Sequence, residues 1–223
     1  MKKFICTLMV VLMIISLCGC FGDTANTDVR GDIIPGNTTQ ASNEPEFSLG
    51  TSVNNTYNND FLGLSCTLPS QWVFYTDEEI LGLNNILGDY VDEEIAEKIK
   101  NANIIYDMYA SVPETGESIN INLEKLSAVQ LINLDIKKVL EAQIDMIKTS
   151  YQNIGYTDTE VTYQKVSVDG KEFDALKITA KIQGIDFYGT CFTFRKGIYL
   201  STVTICSLIT DNFDTISDCF TVK

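Results

Sequence analysis

Apolar positions along the chain fall into three textures. Phe4 to Leu17 is an almost unbroken apolar run. Residues 21 to 59 are rich in Asn, Thr, Gly and Ser, contain Pro35 and Pro45, and show no apolar period. Such a composition buries too little surface to offset its ordering entropy, so this stretch reads as a disordered stalk. From Asp60 onward the pattern becomes periodic. Phe61 to Leu68 reads as a strand with Leu62, Leu64, Cys66 and Leu68 on one face, and Trp72 to Tyr75 as a second, beyond Pro69. Thr76-Asp77-Glu78-Glu79 has the spacing of a capping box and predicts a helix to about Leu87. Asp92-Glu93-Glu94 opens another to about Ala102, with acids beside the positive end of the helix dipole.

Two alternating strands are predicted next. Ile104, Tyr106, Met108, Ala110 and Val112 face one way, against Ile105, Asp107, Tyr109 and Ser111; Ile119, Ile121 and Leu123 oppose Ser118, Asn120, Asn122 and Glu124. A helix over about 134–152 carries the stripe Ile136, Val139, Leu140, Gln143, Ile144, Ile147 and Tyr151, with Gly155 as its stop. The last third reads as a meander turning at Asp169-Gly170, Gln183-Gly184 and Arg195-Lys196-Gly197. Its strand over 171–182 has one wet face (Lys177, Thr179, Lys181), whereas the strands over 185–194 and 198–206 are apolar on both faces, as strands covered on both sides are. A closing helix is predicted from about Thr210 to Phe220. The order β-β-α-α-β-β-α-β-β-β-β-α predicts one α+β domain over 60–223, an antiparallel sheet with helices against both faces, and that length suffices for a single core.

The leader changes the picture from fold to address. Lys2 and Lys3 precede an apolar run too short to span a bilayer, which needs about 20 residues, and suited to an export signal. It ends in Leu17-Cys18-Gly19-Cys20, which resembles the bacterial lipobox. That resemblance implies a diacylglyceryl thioether on Cys20 and cleavage after Gly19, so that residues 1–19 are a signal peptide and 20–59 a lipidated N-terminus and stalk. Two acyl chains hold a bilayer firmly where one binds marginally. The expected location is the outer face of a bacterial cell membrane.

Charge and residue types then exclude chemistry. The net charge is −14, and it becomes −16 once Lys2 and Lys3 leave. This disfavours nucleic acid, whose binding leans on Lys and Arg, and would hold the domain off an anionic bilayer. With no histidine in the chain, Ser-His-Asp and Cys-His catalysis and His-ligated zinc are absent, as are Gly-rich phosphate loops. The acid runs at 77–79 and 92–94 sit where helix starts favour acids, and neither follows the calcium-loop order. No cofactor or metal is expected. Cys66, Cys191, Cys206 and Cys219 remain for three alternative pairings; free buried thiols are favoured, since cysteine also packs as a small hydrophobe. Trp72 and Tyr106 read as core, while Tyr109 joins Asp107, Asn120, Asn122 and Glu124 on the face expected to be wet, the first candidate for a partner surface.

The segment Leu62-Gly63-Leu64-Ser65-Cys66-Thr67-Leu68-Pro69-Ser70-Gln71-Trp72 resembles the entry of PsbP-like domains. The long central helix, the Val168-Asp169-Gly170-Lys171 hairpin and the paired late strands follow the same plan. The resemblance implies an α-β-α sandwich around an antiparallel sheet and a role in binding or assisting other proteins rather than catalysis; it supplies no binding residue. The combined expectation is a non-catalytic surface lipoprotein that binds a protein or envelope component. A small-ligand binding lipoprotein is the alternative.

Overall fold

The computed structural model describes residues 47–84 and 102–223. The leader, Cys20, most of the stalk, the end of the first predicted helix and the helix opened by Asp92 lie outside these residues. Described strands are β1 (Thr51–Val53), β2 (Thr56–Asn59), β3 (Leu64–Thr67), β4 (Val73–Phe74), β5 (Ile104–Val112), β6 (Glu117–Lys125), β7 (Tyr156–Val168), β8 (Lys171–Ile182), β9 (Ile185–Lys196), β10 (Tyr199–Ser207) and β11 (Phe220–Val222). Helices are α1 (Asp77–Leu83), α2 (Ala128–Ile132), α3 (Ile136–Asn153) and α4 (Phe213–Ser217). A seven-stranded antiparallel sheet runs β4-β5-β6-β10-β9-β8-β7, and a four-stranded one runs β1-β2-β3-β11.

The turns follow from local chemistry. Asp169 and Gly170, and likewise Gln183 and Gly184, take positive φ between directly paired strands, the geometry that matches the right-handed twist of a hairpin. Thr76 accepts the Glu79 amide while the Glu79 carboxylate takes the Thr76 amide, so the capping box forms as its spacing predicts. A second box, Ser127 with Gln130, starts α2, which the periodicity did not reveal.

Two cores flank the large sheet. Leu140, Ile147 and Tyr151 of α3 pack on Val161, Leu176, Ile178 and Phe187. On the opposite face Ile119, Ile121, Leu123, Phe192 and Val203 meet Tyr57, Leu64, Cys66 and Trp72 of the small sheet and its flanks, together with Phe213 and Ile216 of α4. The α+β class and helices on both faces are thus present, with one addition: α4 shares its side with a second sheet.

That sheet moves the expected boundary at residue 59. Strands β1 and β2 lie in the stretch read as stalk, and Tyr57 is fully buried. Asn54 and Asn55, both at positive φ, form their turn, a conformation Asn tolerates better than most residues. Gly50 passes so close to Tyr57 that an added Cβ would sit 2.2 Å from Cε2 of the ring. Gly50→Ala is expected to cost about 1–3 kcal/mol through this overlap, read by urea denaturation.

Candidate functional site

The five residues expected on one wet face do not stay together. Tyr106 pairs with Asn122 and Met108 with Ile121, so Asp107 is the extra residue of a β-bulge. The bulge shifts the alternation of β5, placing Ile105 in the same core as Met108, Ala110 and Val112. Asp107 turns toward the small sheet. Its Oδ1 accepts the Gly50 amide at 2.7 Å, and its Oδ2 accepts Asn59 Nδ2 at 2.7 Å and the Tyr57 hydroxyl. Asn59 is itself oriented, since its Oδ1 takes the Leu62 amide at 2.8 Å. Three donors favour the ionised carboxyl, yet burial outweighs them and holds Asp107 above the ordinary carboxylate range. None of the ion pairs among the described residues involves it.

Tyr109, Asn120, Asn122 and Glu124 do share a face, the one that carries α3, but it is not solvated. Relative exposure is 4% at Tyr109, 2% at Asn120 and 4% at Glu124, and Asn122 is half-buried. Alternation reports which side chains share a face; it does not report whether that face is covered. Here cover begins with the chain around α1. The Tyr75 ring lies 4.2 Å from Tyr109, and Asn84 accepts the Tyr106 amide at 2.7 Å while donating to its carbonyl at 2.8 Å. Tyr106, expected in the core, is half-buried on this side, whereas Trp72 is core as expected.

Register extends the polar face across the sheet. Tyr109, Asn120, Thr204 and Cys191 stand opposite one another on successive strands, and so do Tyr106, Asn122, Thr202, Thr193 and Asp174. The Thr193 and Thr202 hydroxyls are 3.2 Å apart. The threonines were legible only as polar residues inside otherwise apolar strands. Between Glu124 at one side and Asp174 at the other, the band offers mainly neutral hydrogen-bonding groups, with no paired carboxylates and a buried thiol, Cys191, that burial makes a poor nucleophile. Its Asn120 Oδ1 is buried and has no hydrogen-bond partner. Asn120→Leu should therefore raise the unfolding free energy by about 1–2 kcal/mol, because it removes an unsatisfied acceptor and keeps most of the volume; urea denaturation of the two proteins decides.

The other candidates have structural employment. Glu79 serves the capping box. Cys66, Cys191, Cys206 and Cys219 are free thiols; burial raises Cys66, Cys191 and Cys206, which makes them poor nucleophiles. Cys219 lies in the turn before β11, not in a helix. Among the described residues no group of three or more His, Cys, Asp or Glu is arranged to hold a metal.

No family model and no curated protein matches the chain. Similar solved structures include the solution structure of cyanobacterial PsbP from Synechocystis sp. PCC 6803, at 12% identity, 84% coverage of this chain, 98% of that chain and a TM-score of 0.43. Another is the crystal structure of LpqN, involved in cell envelope biogenesis of Mycobacterium tuberculosis, at 11% identity, 70% and 76% coverage and a TM-score of 0.36. PsbP, whose domain entry the Leu62–Trp72 segment resembles, is thus among the structures similar to this chain, and neither likeness assigns a role to any residue here.

Proposed function

We propose that the protein is an exported lipoprotein, anchored through Cys20, whose domain binds another component of the cell envelope without catalysis. The observation that carries the reading is the tetrad Leu17-Cys18-Gly19-Cys20 at the end of a basic-then-apolar leader. The passive role is supported by how the domain uses its reactive groups: the acceptors of Asp107 are taken by the fold's own donors, and the buried thiols are held protonated. Intact mass of protein extracted from membranes should show loss of residues 1–19 and a diacylglyceryl group on Cys20; a bare thiol there overturns the anchor. Cross-linking in cells followed by affinity capture should enrich a discrete partner, and repeated failure to do so overturns the binding role.

The unpartnered Asn120 oxygen favours a second reading, a small neutral polar ligand held on the band. A panel of monosaccharides and amino acids would then raise the melting temperature of the wild type but not of Asn120→Leu. No shift with any of them sinks it.

A further inference from the structure

We infer that α2 and the adjoining β9–β10 turn form a surface that rests on a lipid leaflet bearing anionic headgroups. This inference rests on the anchored reading above. The element is held rigidly: the Leu126 amide donates to the Ile198 carbonyl at 2.9 Å, and the reciprocal bonds between Ser127 and Gln130 set the first turn of α2 immediately after β6. On it Val129 and Ile132, three residues apart and so on one side of the helix, are 69% and 83% exposed, and Ile198, whose carbonyl holds the Leu126 amide, is 43% exposed. A lone exposed aliphatic is ordinary. Three on one braced knuckle make a grouped apolar surface that the domain itself leaves open.

Two further observations choose the occupant. Charge is the first. In a chain of net charge −14, the strand ends beneath the knuckle carry Lys125, Arg195 and Lys196, with Lys125 and Lys196 both in register with Tyr199. The opposite ends of the same strands begin with Glu117 in β6 and carry Asp186 in β9, the latter paired with Lys181 of β8. An aliphatic tip rimmed by cations suits the boundary between acyl chains and anionic headgroups. The second is the path of the chain. Phe47 stacks on Tyr199 at 4.7 Å, next to Ile198, so the chain leading back to Cys20 leaves from this end. Those 27 residue steps reach at most about 95 Å, and such a tether converts docking into an intramolecular event at high effective concentration, for which weak contacts suffice. At this end of the domain the proposed docking thus departs from the expectation that the acidic chain stands off the membrane.

Hydrogen exchange on the full membrane-derived protein tests it, in detergent, in phosphatidylcholine vesicles and in vesicles containing phosphatidylglycerol. The amides of residues 126–133 should exchange about fivefold more slowly in the phosphatidylglycerol vesicles than in the other two, with the turn at Gln183-Gly184 unchanged. The combined Val129→Asp and Ile132→Asp variant should lose that protection while keeping its melting temperature, since both side chains are exposed. Equal exchange in all three conditions overturns the proposal. So does protection that grows with protein concentration in detergent, which would mean that a second copy covers the patch. If mass shows no lipid on Cys20, the anchored reading fails, while protection by vesicles is still read on the same material.

Discussion

Replacing Asp107 with alanine should lower the unfolding free energy by several kcal/mol, at about 1–3 kcal/mol for each buried donor left unpaired. The change leaves the Gly50 amide, the Tyr57 hydroxyl and Asn59 Nδ2 without their common acceptor, all at a buried site. The buried Tyr57 hydroxyl cannot turn to water and retains its desolvation cost, the part-buried Gly50 amide retains some of its own, and Asn59 Nδ2 keeps its bond to the Ser48 carbonyl at 3.3 Å. Asp107→Asn should lie between the two, because one of its new amide hydrogens must face a donor. The pH dependence follows from the direction of the shift. Unfolded, the group titrates near the usual value of about 3.9; folded, burial holds it higher. The folded state therefore binds that proton more tightly, and the resulting stabilisation is complete below the unfolded value and is lost as pH rises through the folded one. Urea curves at several pH values above about 4 should show the wild type losing stability relative to Asp107→Asn as pH increases. A difference independent of pH would mean that Asp107 titrates normally.

Phe192→Ala is expected to cost about 3–5 kcal/mol, for a different reason. Its ring is fully buried and meets Phe173 of β8 at 5.4 Å, Phe213 of α4 at 6.4 Å and Phe220 of β11 at 6.0 Å between centroids. Removing it opens a void beneath both elements that cover this face. Because Phe220 stands opposite Cys66 in the β3–β11 pair, loosening of β11 should also expose that thiol. Reaction of Cys66 with a thiol reagent should accelerate in the variant, and unchanged labelling would show that the cavity is absorbed without opening the strand.

What could be read from the chain depended on whether a residue's behaviour was set locally. Ile119, Ile121 and Leu123 alternate strictly and are core, and Asp169-Gly170 turns where its preference for positive φ says it must. The phase of β5 failed at Asp107, since a bulge inserts a residue without leaving a mark in the hydrophobic pattern. The hairpin of β1 and β2 failed because composition treats 51–59 as polar, whereas Tyr57 and an acceptor nearly fifty residues away hold it in place. At the other terminus Phe213, Ile216 and Phe220 are spaced like a helix face, but only the first two belong to α4; Phe220 begins a strand recruited by β3. For the candidate site, the grouping of Tyr109, Asn120, Asn122 and Glu124 was legible and their burial was not, because cover comes from elements remote in sequence.

The pairing of β11 with β3 has a consequence for how the chain is made. The small sheet joins residues 64–67 to residues 220–222, so the strand that completes it is made after every other described strand. At a usual elongation rate, β3 waits roughly 10–30 s for its neighbour. Throughout that interval β3 has β2 on one side and nothing on the other, and the small sheet cannot close until residues 220–222 have been made. A sheet closed by segments so far apart in the chain forms late, after the strands between them are available to fold.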